Sequence, residues 1–189
     1  MISAILLAAG KSKRMNGENK LCKKLHGIPM INHSIKNILS SSIDELIIVL
    51  GHENKVVQNL IKKNNKIKFI LNNKYETGIA SSIKTGIKCL SINSKAFFIC
   101  LGDMPMVNKN VYNKLINSRK NEDIIIPTYK GIRGNPILFS KSMINQIMNI
   151  EGDIGAKNIL NINKNILLHI EIDDEGIRKD FNFIENFNF

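Results

Sequence analysis

Short apolar runs that alternate with amphipathic stretches constrain this chain more than any other feature. Residues 2–7, 46–50, 67–71, 96–101 and 123–127 each read as a strand. Between them, residues 29–39, 54–63, 81–90 and 110–116 space their apolar side chains at helical intervals. Met30, Ile31, Ile35, Ile38 and Leu39 mark the first of these, Val56, Val57, Leu60 and Ile61 the second, Ile83, Ile87 and Leu90 the third. Such strand–helix repeats with short connections predict an α/β fold whose sheet is parallel and covered on both faces. After Pro127 the rhythm breaks. Gly131, Gly134 and Pro136 punctuate a loop before a short strand at 137–139. Residues 141–149 and 156–160 then read as helical, 166–172 as a last strand, and 181–189 as a terminal helix. No internal repeat or linker divides the chain, so its 189 residues predict one domain, 1–189.

In parallel sheets ligands bind at the carboxyl ends of the strands. The loops after Leu7, Leu71 and Leu101 should therefore share one edge. The first runs Ala8-Ala9-Gly10 and then carries Lys11, Lys13, Arg14 and Lys20. A small-residue turn lets backbone N–H groups approach phosphate oxygens, and the cations neutralise their charge. It is not a P-loop, because Ile5 stands where the first glycine is required. Nor is it a dinucleotide fingerprint, because after Gly10 the next glycine is Gly17. The plain alternative is a solvated basic loop.

The third loop is Leu101-Gly102-Asp103-Met104-Pro105. A carboxylate at a strand end, between a glycine and a rigid proline, suits a divalent cation held against a phosphate. The alternative is a capping Asp for the following helix. The second loop, Tyr75-Glu76-Thr77-Gly78-Ile79-Ala80-Ser81-Ser82, offers hydroxyls and N–H groups at a helix start. These could read a base edge or an anion, or simply cap the helix. Arg133 lies between Gly131 and Gly134, either presented by a tight loop or solvated on a surface hairpin. Gly152-Asp153-Ile154-Gly155-Ala156-Lys157 reads as a helix-capping loop. Asp173, Asp174, Glu175 and Asp180 offer late oxygen ligands.

The formal net charge of +11 raises a nucleic-acid reading. It is set aside because the lysines are spread along the chain, aromatics are only 6%, and Trp is absent, which leaves few stacking platforms. A basic surface can still attract a polyanionic small substrate. No apolar run reaches the length of a membrane span, and residues 2–7 are too short for a signal-peptide core. The expectation is a cytoplasmic protein with neither nucleic-acid nor membrane partner. Cys22, Cys89 and Cys100 form no metal or disulfide pattern, and Cys100 reads as core.

Together these segments resemble the molybdenum cofactor cytidylyltransferase (MocA-like) family within the MobA-like NTP transferases. The resemblance covers nearly the whole chain. It rests on Leu7-Ala8-Ala9-Gly10-Lys11-Ser12-Lys13-Arg14-Met15 with Lys20-Leu21, on Gly78 through Ser81-Ser82 to Gly86, on Gly102-Asp103-Met104-Pro105, on the loop from Tyr129 to Phe139, and on Gly152-Asp153-x-Gly155-Ala156. It implies a Rossmann-like, GT-A-type nucleotidyltransferase with a mostly parallel central sheet and helices on both faces. In the implied reaction a substrate phosphate attacks the α-phosphate of an NTP with Mg²⁺, and pyrophosphate leaves.

The resemblance also implies roles. The backbone of Leu7, Ala8, Ala9 and Gly10 would hold the triphosphate, with Arg14 and Lys20 on the developing charge. Asp103 would hold the metal, joined by Asp180 and Asn182, while Gly78, Ser81 and Ser82 would lie near base or ribose. The chain departs from the family at Asn16, at Asn135 in place of a His, and at Asn182 in place of an Asp. Ala9 resembles the cytidylyl branch, where the guanylyl branch tends to carry Leu-Ala-Gly-Gly. This favours CTP and a molybdopterin-type phosphate monoester, with a molybdoenzyme or its maturation chaperone as partner. The alternatives are another phosphate acceptor, a GTP-dependent guanylyltransferase, or a non-catalytic nucleotide-binding accessory protein.

Overall fold

A computed structural model describes residues 1–12, 19–153, 155, 157–163 and 166–181. Its strands are β1 (Ile2–Ala8), β2 (Lys24–Leu25), β3 (Ile28–Pro29), β4 (Glu45–Leu50), β5 (Ile67–Leu71), β6 (Ala96–Leu101), β7 (Ile124–Tyr129), β8 (Ile132–Arg133), β9 (Ile137–Ser140) and β10 (Leu167–Glu171). Its α-helices are α1 (Met30–Leu39), α2 (Asn54–Asn59), α3 (Ile79–Ile87), α4 (Lys109–Asn117), α5 (Ile144–Ile147) and α6 (Lys157–Ile162). The main sheet runs β10-β7-β9-β6-β1-β4-β5, with β8 on the edge of β7. β1 pairs in parallel with both β4 and β6, and β4 with β5. β9 reverses between β6 and β7, and the short β8 runs antiparallel to β7, while the other pairings are parallel, so the sheet is mostly parallel. The break in rhythm after Pro127 marks this reversal.

Strand alternation divides the core. Ala4, Leu6 and Ala8 face one side, where α1, α2 and α4 contribute Met30, Ile31, Ile38, Val57, Val111 and Leu115. Ile5 and Leu7 face the other, where α3, α5 and α6 contribute Ile83, Ile87, Ile147 and Ile159. Both faces are thus apolar, which is why β1 reads as a continuous hydrophobic run. Gly86 explains how closely α3 lies on β1. A Cβ there would fall 2.3 Å from Ile5 Cγ2. Phe97 and Phe98 point to opposite faces and are fully buried, each stabilising the fold by about 1.5–3 kcal/mol. Cys100 is core, and burial pushes its thiol up to about 12.

Several elements differ from the sequence reading. The stretch at 54–63 is helical only to Asn59, and Val56 is half exposed while Ile61 packs inward beyond the helix end. The helix read at 81–90 begins earlier, at Ile79, and ends at Ile87. The segment at 141–149 is a 3₁₀ turn, Lys141–Met143, followed by one turn of α5. The β2–β3 hairpin, turning at His26 and Gly27, carries too short a pattern to see. The expected terminal helix lies outside the described residues beyond Phe181. No described helix is long and apolar enough to cross a membrane.

Candidate active site

β1 and β6 are neighbours in register, Leu7 opposite Leu101. The loops that leave them therefore emerge side by side at the carboxyl edge of the sheet. The Gly102 N–H donates to the Leu7 carbonyl at 3.1 Å, and the His52 N–H to the Ala9 carbonyl at 3.1 Å. These bonds hold the backbone on either side of Ala8, at Leu7 and at Ala9. Lys20 opens a 3₁₀ turn whose N-cap is Asn19, with Asn19 Oδ1 accepting from the Leu21 N–H. The Lys20 N–H donates to Ser12 Oγ at 3.1 Å, and Leu21 is buried below. The Lys20 ammonium then meets Asp103 Oδ2 in an ion pair that is itself largely shielded from solvent.

Asp103 is held from three directions. Ser34 Oγ on α1 donates to the Gly102 carbonyl, and Asn37 Nδ2 to the Pro105 carbonyl. The Phe181 N–H donates to the Asp103 carbonyl at 3.0 Å. Asp103 does not cap α4, because Asn108 does so through its own side chain. Asp103 Oδ1 accepts no hydrogen bond from any described residue. The carboxylate thus keeps one oxygen available to a ligand.

The start of α3 forms the opposite wall. Gly78 adopts φ +109° as its N-cap, and a Cβ there would lie 2.4 Å from the Gly152 backbone. No Ser or Thr side chain caps the helix. Asp153 does this instead. Its Oδ1 accepts from the Ile79 N–H at 3.0 Å, while the Gly152 carbonyl accepts from the Ala80 N–H. Capping was the sequence reading of this loop, but the helix it caps lies far away in the chain. Across the mouth Lys11 pairs with Glu76 and sits 5.8 Å from the Tyr75 ring centre. Hydrogen bonding to Glu76 raises the Lys11 ammonium above its ordinary range.

The result is a cleft of about 370 Å³. Leu7, Ala8, Ala9, Gly10, Lys20, Gly78, Ser82 and Asp103 all line it, so the structure brings most of the expected residues together. Ser81 is turned elsewhere. Its hydroxyl is within hydrogen-bond distance of the Lys74 and Gly78 carbonyls and accepts from Asn72, and it borders a second hollow. Asp180 is exposed and precedes Phe181, whose N–H reaches the Asp103 loop. Arg14 and Asn182 lie outside the described residues. Asp153 and Ser12 also line the cleft. Sequence reasoning gave neither a part in it, because their partners are set by the fold.

A model of the MobA-like NTP transferase domain matches residues 4–168. The chain belongs to the MobA-like NTP transferase family. Its reaction is therefore nucleotidyl transfer, on an α/β Rossmann-like scaffold. It is 28% identical to the molybdenum cofactor cytidylyltransferase of Escherichia coli K12, over 98% of this chain and 93% of that one. It is also 28% identical to the purine catabolism protein PucB of Bacillus subtilis 168, over 82% and 78% of the two chains. The crystal structure of Rv0371c from Mycobacterium tuberculosis H37Rv superposes with a TM-score of 0.88 at 19% identity, covering 98% and 95%. Relatives of equal percentage identity thus bear different names.

The donor set suits the Mg²⁺ that a MobA-like enzyme implies. Among the described residues no three His, Cys, Asp or Glu side chains gather. Mg²⁺ does not need them, since it commonly takes one or two carboxylates and completes its shell with phosphate oxygens and water. Asp103, with one oxygen open to the cleft, meets that requirement.

Proposed function

We propose that this protein is a Mg²⁺-dependent CTP:molybdopterin cytidylyltransferase. An acceptor phosphate oxygen attacks the α-phosphate of CTP, the bond to the bridging oxygen breaks, and pyrophosphate leaves with its electron pair. The protein contributes position and countercharge, which dominate phosphoryl-type transfers. The backbone at Leu7, Ala8, Ala9 and Gly10 cradles the triphosphate. Lys20 and Arg14 offset the negative charge that grows on the α-phosphate and the leaving group. Asp103, with Asp180 and Asn182 as further ligands, holds Mg²⁺, which would neutralise phosphate oxygens when bound. Gly78 and Ser82 approach base or ribose, and Ser81 supports them from behind.

The observation that carries this reading is the Lys20–Asp103 pair lying beside the Ala8-Ala9-Gly10 turn in one cleft. Ala9 and the end-to-end match with the Escherichia coli cytidylyltransferase support CTP and the molybdopterin acceptor. A molybdoenzyme or its maturation chaperone would receive the product. The test offers CTP, GTP, ATP and UTP separately with molybdopterin and Mg²⁺, and identifies the product by mass. A CMP adduct formed with CTP alone is expected. A GMP adduct would overturn the nucleotide, turnover only with another phosphate monoester would overturn the acceptor, and nucleotide binding without turnover would favour an accessory protein.

A further inference from the structure

A second hollow of about 400 Å³ lies on another face of α3. Ser81, Lys84, Thr85 and Lys88 recur along that face at helical spacing. Lys74 joins them from the loop after β5, and Ile150, Glu151 and Gly152 also line the hollow. Three lysines and one glutamate thus line the same hollow. Lys11, Lys20, Lys68 and Lys179 each pair with an acidic side chain. Among the described residues Lys74, Lys84 and Lys88 pair with none, as is also true of other surface lysines such as Lys36 and Lys55. Like charges one helical turn apart, as at Lys84 and Lys88, repel. An anion placed among them adds attractions that offset that repulsion.

The neighbouring polar groups narrow the ligand class. The hydroxyls of Thr77, Ser81 and Thr85 donate to backbone carbonyls, and the Asn72 amide donates to Ser81 and Ser82. Little hydrogen-bond specificity is left for a sugar or a base. Recognition rests on charge, which favours a compact ion carrying two or more negative charges. We propose that this hollow is a second anion site that takes a phosphate group, supplied by free phosphate, pyrophosphate or a small phosphate monoester.

The hollow touches the cleft. Asn72 Nδ2 reaches Ser81 Oγ at 2.8 Å and Ser82 Oγ at 3.0 Å, and these serines border the hollow and the cleft respectively. Gly152 lines the hollow and Asp153 the cleft. An ion that moves Ser81 is therefore felt at Ser82. Phosphate binding here does not depend on which nucleotide the cleft takes.

The test is an amide-resolved NMR titration with inorganic phosphate, with chloride at matched ionic strength as control. Saturable shifts at Lys84, Thr85 and Lys88, with a smaller shift at Ser82, are expected. The Lys84→Gln/Lys88→Gln variant should weaken binding at least about tenfold, Lys74→Gln should weaken it from a separate element, and Lys20→Gln should leave it intact. Pyrophosphate and glycerol 3-phosphate, titrated in turn, distinguish a polyphosphate from a monoester as the tighter ligand. Shifts that fail to saturate, that chloride reproduces, that survive both lysine variants, or that appear only at Gly10, Lys11 and Ser12 would overturn the site. A saturated hollow with an unmoved Ser82 would overturn its link to the cleft.

Discussion

Two carboxylate–ammonium pairs stand at opposite ends of the same sheet. Glu45 opens β4 at the amino edge, and Asp103 follows β6 at the carboxyl edge. Glu45 is saturated. It accepts from Ser3 Oγ at 2.6 Å, the Ser91 N–H at 2.9 Å and Lys68 Nζ at 2.8 Å. Burial raises its pKa, but the bonds from Lys68, Ser3 and Ser91 outweigh burial and hold it below the ordinary range. Asp103 accepts from Lys20 alone among the described side chains and keeps its other oxygen open. The same pair of charges thus ties strands and loops together at one edge and leaves capacity for a ligand at the other. On the proposed function, the filled set at Glu45 serves structure and the unfilled one at Asp103 serves chemistry.

Substitutions can break that contrast. Outside Asp103, Lys20→Met is expected to do most, lowering the rate of pyrophosphate release about 10²–10³-fold with little change in Tm. Steady-state rates beside a thermal melt would check this, and a large loss of Tm would move Lys20 to the structural side.

Glu45→Ala should act in the opposite sense. It leaves the Ser91 N–H without its acceptor and costs about 2–3 kcal/mol of stability, read by urea denaturation, while the rate per folded molecule stays unchanged. The pH dependence has a definite sign. Because the folded carboxyl is depressed, its stabilisation is complete above the ordinary glutamate value of 4.5 and is lost as pH falls through the lower folded value. Glu45→Gln should flatten that part of the acid-unfolding curve.

Gly78→Ala sharpens the contrast within the site itself. A methyl group there needs positive φ and collides with Gly152. A cost on the order of 1–3 kcal/mol and a raised KM for nucleotide are expected together. Asp153→Ala is smaller still. It removes the cap of α3, worth about 1 kcal/mol, and Asp153→Asn should restore most of the stability because an amide oxygen can accept the same bond.

The sequence carried the fold wherever burial is continuous. β1, β4 and β6 lie between two layers of helix, so their residues are apolar throughout and legible. Elements of two residues, such as β2, β3 and β8, bury too little to leave a pattern. The reversal of β9 showed only as a loss of rhythm, because strand direction has no local signal. In the site, Lys20, Asp103 and the Ala8-Ala9-Gly10 turn were legible because strand ends and small residues sit beside charges. The capping of α3 by Asp153 and the saturation of Glu45 by Ser3 and Ser91 join residues distant in the chain. Only the folded structure pairs them.

The most direct measurement is Mg²⁺-dependent pyrophosphate release by Asp103→Ala beside the native protein, with the melting curve of each. Turnover reduced by at least about 10³-fold at an unchanged Tm is the expected result. Retained turnover, or a loss of activity that follows a loss of fold, would contradict the assignment of the chemistry to this carboxylate and its cleft.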